Sequence, residues 1–358
     1  MNDNKIFDIL VINPGSTSTK VAIYKDEKEV ISESLKHSSN ELGKCAGVWD
    51  QYDLRMKAIR SFLTKHSINP KELSAVIGRG GMVKPIPGGT YKINKQMIED
   101  AKINYQGEHC SNLGCALADE IAAIGNIPAY TVDPVAVDEF EPIARLSGHP
   151  LLNRRAFGHP LNMHEAARRA AAKLGKEYQN SQFVVAHLGG GISVSPVKNG
   201  RIIDINDASS GGPFSPDRTG SVPLQPFITL CFSGDYSEDD MRRMVMGRGG
   251  LKAYLGTHSG EEIEKRIADG DEKAKLVYQA MAYQIAKEVG AMATVLNGKV
   301  DAVVLTGGLT HSKMLMEWIM ERVAYIAPII IFHGEFEFEA MVFSVLRVLR
   351  KEEEASEY

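Results

Sequence analysis

The chain of 358 residues carries 44% hydrophobic, 24% charged and 7% aromatic side chains, enough apolar material for about two packed domains and too much for a disordered or fibrous chain. Its 41 basic and 45 acidic residues give a formal charge of -4, which leaves no basic excess to meet a nucleic-acid backbone or an anionic lipid surface. The longest strongly apolar stretch, residues 325–332, falls far short of the roughly 20 residues that span a bilayer, and Met1-Asn-Asp-Asn-Lys5 lacks a secretory pattern, so a cytoplasmic address is expected.

In chain order, Ile9-Leu-Val-Ile12 has the apolar run of a buried strand, Asn13-Pro-Gly-Ser-Thr-Ser-Thr-Lys20 forms a turn, and Val21-Ala-Ile-Tyr24 is a second strand that Asp26-Glu-Lys28 turns into a third. Short apolar strands at Ala75-Val-Ile77 and Ala129-Tyr-Thr-Val132 then alternate with helical stretches, among them the alanine-rich residues 165–174 closed by Gly175. Phe183-Val-Val-Ala-His-Leu-Gly-Gly-Gly-Ile-Ser-Val-Ser195 repeats the opening scheme, and Lys198-Asn-Gly200 supplies a hairpin turn. A long amphipathic helix over residues 273–296 leads to the strand Ala302-Val-Val-Leu-Thr306, and a last helix over residues 337–350 precedes an acidic tail expected to be solvated. Placing Gly15 over Gly189 superposes the two strand-turn-strand units. That echo predicts an α/β protein of two duplicated domains facing each other across a cleft, divided near residue 150. The four cysteines, Cys45, Cys110, Cys115 and Cys231, match neither a redox pair nor a zinc knuckle and are expected to be reduced and mostly buried.

Three turns could carry chemistry. The first aims the backbone and hydroxyl groups of Gly15, Ser16 and Ser18 at one spot and adds the charge of Lys20, which suits a phosphate. It lacks the GxxxxGK spacing of a Walker loop, and a plain β-turn is the alternative. The second places Gly189, Gly190 and Gly191 in a row after His187, an entropic cost that a close backbone approach to a ligand would justify. The third, Leu305-Thr-Gly-Gly-Leu309, again follows a strand, with a simple helix-entry turn as its alternative. Together they outline a nucleotide phosphate held between two domains.

With these motifs the chain resembles butyrate kinases, or branched-chain fatty acid kinases, within the acetate kinase part of the actin and hexokinase superfamily. The resemblance runs nearly end to end, through Asn13-Pro-Gly-Ser-Thr-Ser-Thr-Lys20, Gly78-Arg-Gly-Gly81, Tyr130-Thr-Val-Asp-Pro134, Gly212-Pro-Phe-Ser-Pro-Asp-Arg-Thr-Gly220 and Leu305-Thr-Gly-Gly308. It implies two ribonuclease H-like, actin-like ATPase domains across a nucleotide-binding cleft, the first completed by the C-terminal helix. It also implies transfer of the γ-phosphoryl of ATP to a short carboxylic acid, with Mg2+ as cofactor, and a homodimer or larger homo-oligomer. Carried over residue by residue, Arg79 meets the substrate carboxylate, Arg218 and His159 stand near the transferred phosphoryl, and Asp133 is the active-site aspartate. Gly15, Ser16, Ser18, Lys20, His187, Gly189, Gly190, Gly191, Gly307 and Gly308 would cradle the nucleotide, with Gly256-Thr-His-Ser259 at the adenosine end. Asn13 and Glu337 correspond to positions near the metal, with Glu335 and Glu339 as the other candidates.

The chain departs from the acetate kinase pattern at Gly190, where an asparagine is typical, at Gly81 for a valine, and at Gly158 for a phenylalanine. Loss of two bulky groups predicts a pocket with room for about two or more extra carbons, each worth roughly 0.8 kcal/mol when buried. Butyrate, isobutyrate or a branched acid is therefore expected, with an acetate or propionate kinase, or an ATP-binding sensor without catalysis, as alternatives.

Overall fold

A computed structural model describes residues 5–358, so the reading of the N-terminal segment at residues 1–4 lies outside the described residues. The chain packs as two compact units: residues up to Val137 together with Phe336–Tyr358, and Asp138–Glu335.

The first unit is built on a six-stranded sheet of β1 (Asp8–Pro14), β2 (Ser18–Lys25), β3 (Lys28–Lys36), β4 (Ala75–Gly78), β5 (Thr90–Lys92) and β6 (Ala129–Val132), in the order β3-β2-β1-β4-β6-β5. The first three strands form an antiparallel meander, and β4 and β6 continue from β1 in parallel. Ile9, Leu10, Val11 and Ile12 are wholly buried, as a continuous apolar run in the middle of a sheet covered on both faces must be. One face packs Leu10, Ile12 and Val21 against Ile59 and Phe62 of the helix Tyr52–Lys65 and Leu117 and Ile121 of the helix Gly114–Gly125.

The second unit repeats the scheme with β7 (Gln182–Leu188), β8 (Ile192–Lys198), β9 (Arg201–Ile202), β10 (Ala302–Thr306) and β11 (Ile329–Ile331), in the order β11-β10-β7-β8-β9. Again an antiparallel meander is extended by parallel strands. The long helix Glu272–Val295 lays Tyr278, Met281, Ile285 and Val289 on this sheet, the three-and-four spacing that an amphipathic helix gives. The alanine-rich helix begins earlier than its composition suggests, at Pro160, whose fixed φ suits a first helical turn.

Three expectations are corrected. The chain leaves the first unit at Val137 rather than near residue 150, because Phe140 and Ala144 join Met163, Ala167 and Ile202 in a core of the second. The C-terminal tail is docked rather than solvated: Lys92 N–H donates to Ser356 O at 3.1 Å, Ser356 N–H donates to Thr90 O at 2.8 Å, and Tyr358 packs beside Val83 and Tyr91. Of the cysteines only Cys115 is buried; Cys45 and Cys110 are partly exposed and Cys231 is exposed, all as free thiols. No helix among the described residues is long and apolar enough to cross a membrane.

Candidate active site

In an open sheet, the carboxyl ends of parallel strands leave a crevice where loops converge, and both units place their predicted residues there. In the first unit, Asn13 lies next to the end of β1, Arg79 follows β4 and Asp133 follows β6. The helix Glu337–Leu349 brings Glu337 to the same place: its Oε2 accepts from Asn13 Nδ2 at 2.7 Å, and its Oε1 lies 3.6 Å from Arg79 Nε. Of the three glutamates, Glu337 is therefore the one on Asn13. Glu335 belongs to the second unit, where its Oε1 lies 3.7 Å from His187 Nε2, and Glu339 is one step further along the helix.

Arg79 is buried, with Nη1 donating to the Asp133 carbonyl at 3.1 Å. The Asp133 carboxylate accepts from Gly89 N–H at 2.7 Å, while Asp133 N–H donates to Gly89 O. Asp133 thus closes the loop of residues 80–89 at both ends of its own peptide, which its left-handed φ of 38° permits. Gly15 N–H donates to Ser18 O at 2.7 Å, leaving Ser16 exposed at the turn, and Lys20 is the exposed β2 residue directly opposite Asn13.

In the second unit, His187 near the end of β7 stacks on His159, ring centres 4.0 Å apart, and the His159 Nδ1 pairs with Ser193 Oγ at 2.9 Å. Asn162 Nδ2 meets His187 Nδ1 at 2.9 Å from the helix Pro160–Lys173. Ser215 Oγ donates to Gly190 O at 2.6 Å, fixing the glycine turn. Arg218 lies along it so closely that a Cβ on Gly191 would stand 2.2 Å from its Nη1. That Nη1 donates to Ala208 O at 2.7 Å, whereas the buried Nε has no hydrogen-bond partner among the described residues. Burial pulls the guanidinium below the usual arginine range, with Asp217 and Asp207 opposing. Gly307 and Gly308 follow β10, where Gly307 N–H donates to Gly334 O at 2.8 Å. At the expected adenosine end, Ser259 caps the helix Gly260–Ala268 and Thr257 donates to Glu262.

The structure removes the argument for an enlarged acid pocket. A Cβ on Gly158 would stand 2.3 Å from Ile205 Cδ1 and 2.9 Å from Ser193 Oγ, and one on Gly81 would stand 2.3 Å from Asn112 Oδ1. The space that larger residues would fill is already occupied by Ile205 and Asn112. Only Gly190 has open space where a side chain would go. Sequence reading also missed the supports: Asn112 and Asn162 carry no motif, and Ser193 and Ser215, though inside quoted motifs, reveal their contacts only once folded.

A magnesium ion is compatible with the first cluster. Glu337 and Asn13 offer hard oxygen donors, and magnesium commonly takes one or two carboxylates and completes its shell with water and substrate phosphate. Among the described residues no three His, Cys, Asp or Glu side chains gather as a self-sufficient metal cage.

Two α/β units, each with an antiparallel meander extended by parallel strands, make the two-domain actin-like ATPase fold of the acetate kinases. The chain superposes on the acetate kinase of Porphyromonas gingivalis with a TM-score of 0.77 at 18% identity, covering 95% of this chain and 99% of that one. A propionate kinase of Francisella tularensis gives 0.72 at 19% identity over 94% and 98%, and the acetate kinase of Entamoeba histolytica 0.74 at 14% over 97% and 99%. Residues 151–328, most of the second unit, match the model of the Acetokinase family.

Proposed function

We propose that this protein is an ATP-dependent kinase of short carboxylic acids. An ionised carboxylate oxygen attacks the γ-phosphorus, the bond from phosphorus to the bridging oxygen breaks, and ADP leaves with the electron pair, so no proton needs to be removed. The chemistry reduces to bringing anions together and stabilising the charge spread over the transferring group. Arg79 takes the acid carboxylate, positioned by the Asp133 carbonyl. Arg218 takes the developing charge, with His159 and His187 beside it and the backbone of residues 189–191 along the phosphates. Magnesium held through Glu337 and Asn13 would neutralise the phosphate oxygens when bound. The observation that supports the reading is Arg218: a half-buried guanidinium pressed on a glycine turn, its Nε without a hydrogen-bond partner and 3.8 Å from Asp217 Oδ1, inside the segment that matches the acetokinase model.

For the acid, the motifs resemble butyrate kinases, whereas the filled space at Gly81 and Gly158 favours acetate or propionate. A hydroxamate assay with Mg-ATP and acids of roughly two to five carbons decides: a peak at four or five supports the butyrate reading, and a peak at two or three the other. No acyl phosphate with any acid, despite ATP binding, would overturn the kinase reading in favour of a sensor.

We also propose self-association. The helix Leu224–Cys231 buries none of its residues, and Leu224, Ile228 and the following Phe232 expose an apolar face. Light scattering of wild type and Ile228→Glu tests it; a monomeric wild type would overturn it.

A further inference from the structure

Arg55 lies on the helix Tyr52–Lys65, wholly buried beneath the first turn, and no motif pointed to it. All five of its N–H groups are used. Nη2 donates to Gly15 O at 2.8 Å and Gln51 Oε1 at 2.7 Å, Nη1 to Ser18 O and Thr19 Oγ1 at 3.0 Å each, and Nε to Gln51 Oε1 at 3.1 Å. Every acceptor is neutral. Two titratable neighbours supply no anion: burial keeps the Cys110 thiol high, and burial together with Arg55 holds His37 low, so both are neutral at pH 7; no salt bridge of Arg55 is found among the described residues. A guanidinium taken out of water normally has a carboxylate beside it, because an unpaired buried charge is strongly unfavourable.

What Arg55 does to the turn suggests why the charge is kept. It draws the carbonyls of Gly15 and Ser18 inward, and His37 N–H takes the Thr17 carbonyl at 2.9 Å. Three of the four carbonyls of residues 15–18 are thus bonded to Arg55 or His37, while Ser16 and Thr17 between them are exposed. A turn whose carbonyls are held by a buried positive charge, with exposed Ser16 and Thr17 at its tip, favours an anion there.

We propose that Arg55 is a positioning residue whose missing counter-ion is the nucleotide phosphate bound on the turn of residues 15–18. The inference rests on the nucleotide reading of that turn and adds the source of its field. Gln51→Glu tests it in the full chain. The substitution preserves both acceptor contacts, and with them the turn, but puts a carboxylate on the guanidinium.

Calorimetry with Mg-ADP should then show a dissociation constant raised about three- to tenfold, with a thermal midpoint equal to or above wild type. Arg55→Met should lose at least as much affinity, and Arg55→Lys should recover part of it. Unchanged ADP affinity in Gln51→Glu would overturn the inference while leaving the kinase reading intact, since a purely structural arginine would not register the added charge. If Arg55→Met does not fold, Gln51→Glu still decides. A wild-type chain that binds no ADP would overturn the nucleotide reading and this inference with it.

Discussion

The two glycine turns that open the two units share a topology and differ in how they carry charge. Both join the first pair of a three-stranded meander, and His187 occupies in the second the position that Asn13 holds in the first. The first turn keeps its arginine underneath: Arg55 binds the carbonyls and contributes through the backbone. The second keeps its arginine alongside: Arg218 lies against Gly191, with its Nε 3.8 Å from Asp217 Oδ1. On the proposed reading, one scaffold serves as a polar cradle in one copy and as a charge-stabilising edge in the other. The difference teaches that a repeated fold fixes where a site lies, whereas the residues behind the turn decide what it does.

The largest expected effect follows from removing the arginine that lies alongside. Arg218→Ala should lower turnover about 10³-fold while ADP affinity changes less than about threefold, because the group acts on charge that develops in transfer. Steady-state rates with calorimetry check this, and near-normal turnover would end the distinction between the turns. A smaller loss, about 10- to 100-fold in turnover, is expected for Gly191→Ala, since the new methyl would displace the guanidinium it meets at 2.2 Å. Gly190→Ala should be near neutral, with nothing within 4 Å of its Cβ, and Gly15→Ala nearly so, with Ser18 O at an ordinary 3.4 Å. Equal losses in all three would mean that the turns work as one undifferentiated backbone cradle.

Much of this was legible in the sequence, for reasons that can be stated. Strand runs such as Ile9-Leu-Val-Ile12 and Ala302-Val-Val-Leu-Thr306 are buried on both faces, so their composition alone marks them, and turn glycines mark their ends. The internal echo placed Gly15 and Gly189 correctly on equivalent turns. Long-range supports were illegible: nothing in the local sequence marks Arg55 as buried until the turn of residues 15–18 is folded over it. Gly81 and Gly158 misled because a missing side chain announces space, whereas Asn112 and Ile205, distant in sequence, fill it. The acidic tail misled likewise, since its composition is that of a solvated end and its docking depends on Tyr358 alone among apolar partners.

The environment of the second turn can be probed next through Gly158. Phenylalanine there must push aside Ile205 and Ser193, the partner of His159, so the fold should lose about 1–3 kcal/mol and rates on acetate and butyrate should fall in parallel. A selective loss on the longer acid would instead restore the idea that residue 158 faces the acyl chain.

The smallest effect belongs to the first unit and asks how firmly its arginine loop is held. Tyr358 donates to Asp100 Oδ2 at 2.7 Å and accepts from Lys84 N–H at 3.0 Å, and Lys84 Nζ lies 2.8 Å from the same carboxylate oxygen. Lys84 lies in the loop of residues 80–89 that Asp133 closes, so the tail restrains the segment following Arg79 from the far side. Tyr358→Phe leaves the ring packed and deletes the hydroxyl, which should lower stability by about 1 kcal/mol. If the restraint reaches Arg79, KM for the acid should rise modestly while KM for ATP stays fixed. A matched rise in both would assign the tail to general stability, and the two units would then differ in their turns but not in how their loops are braced.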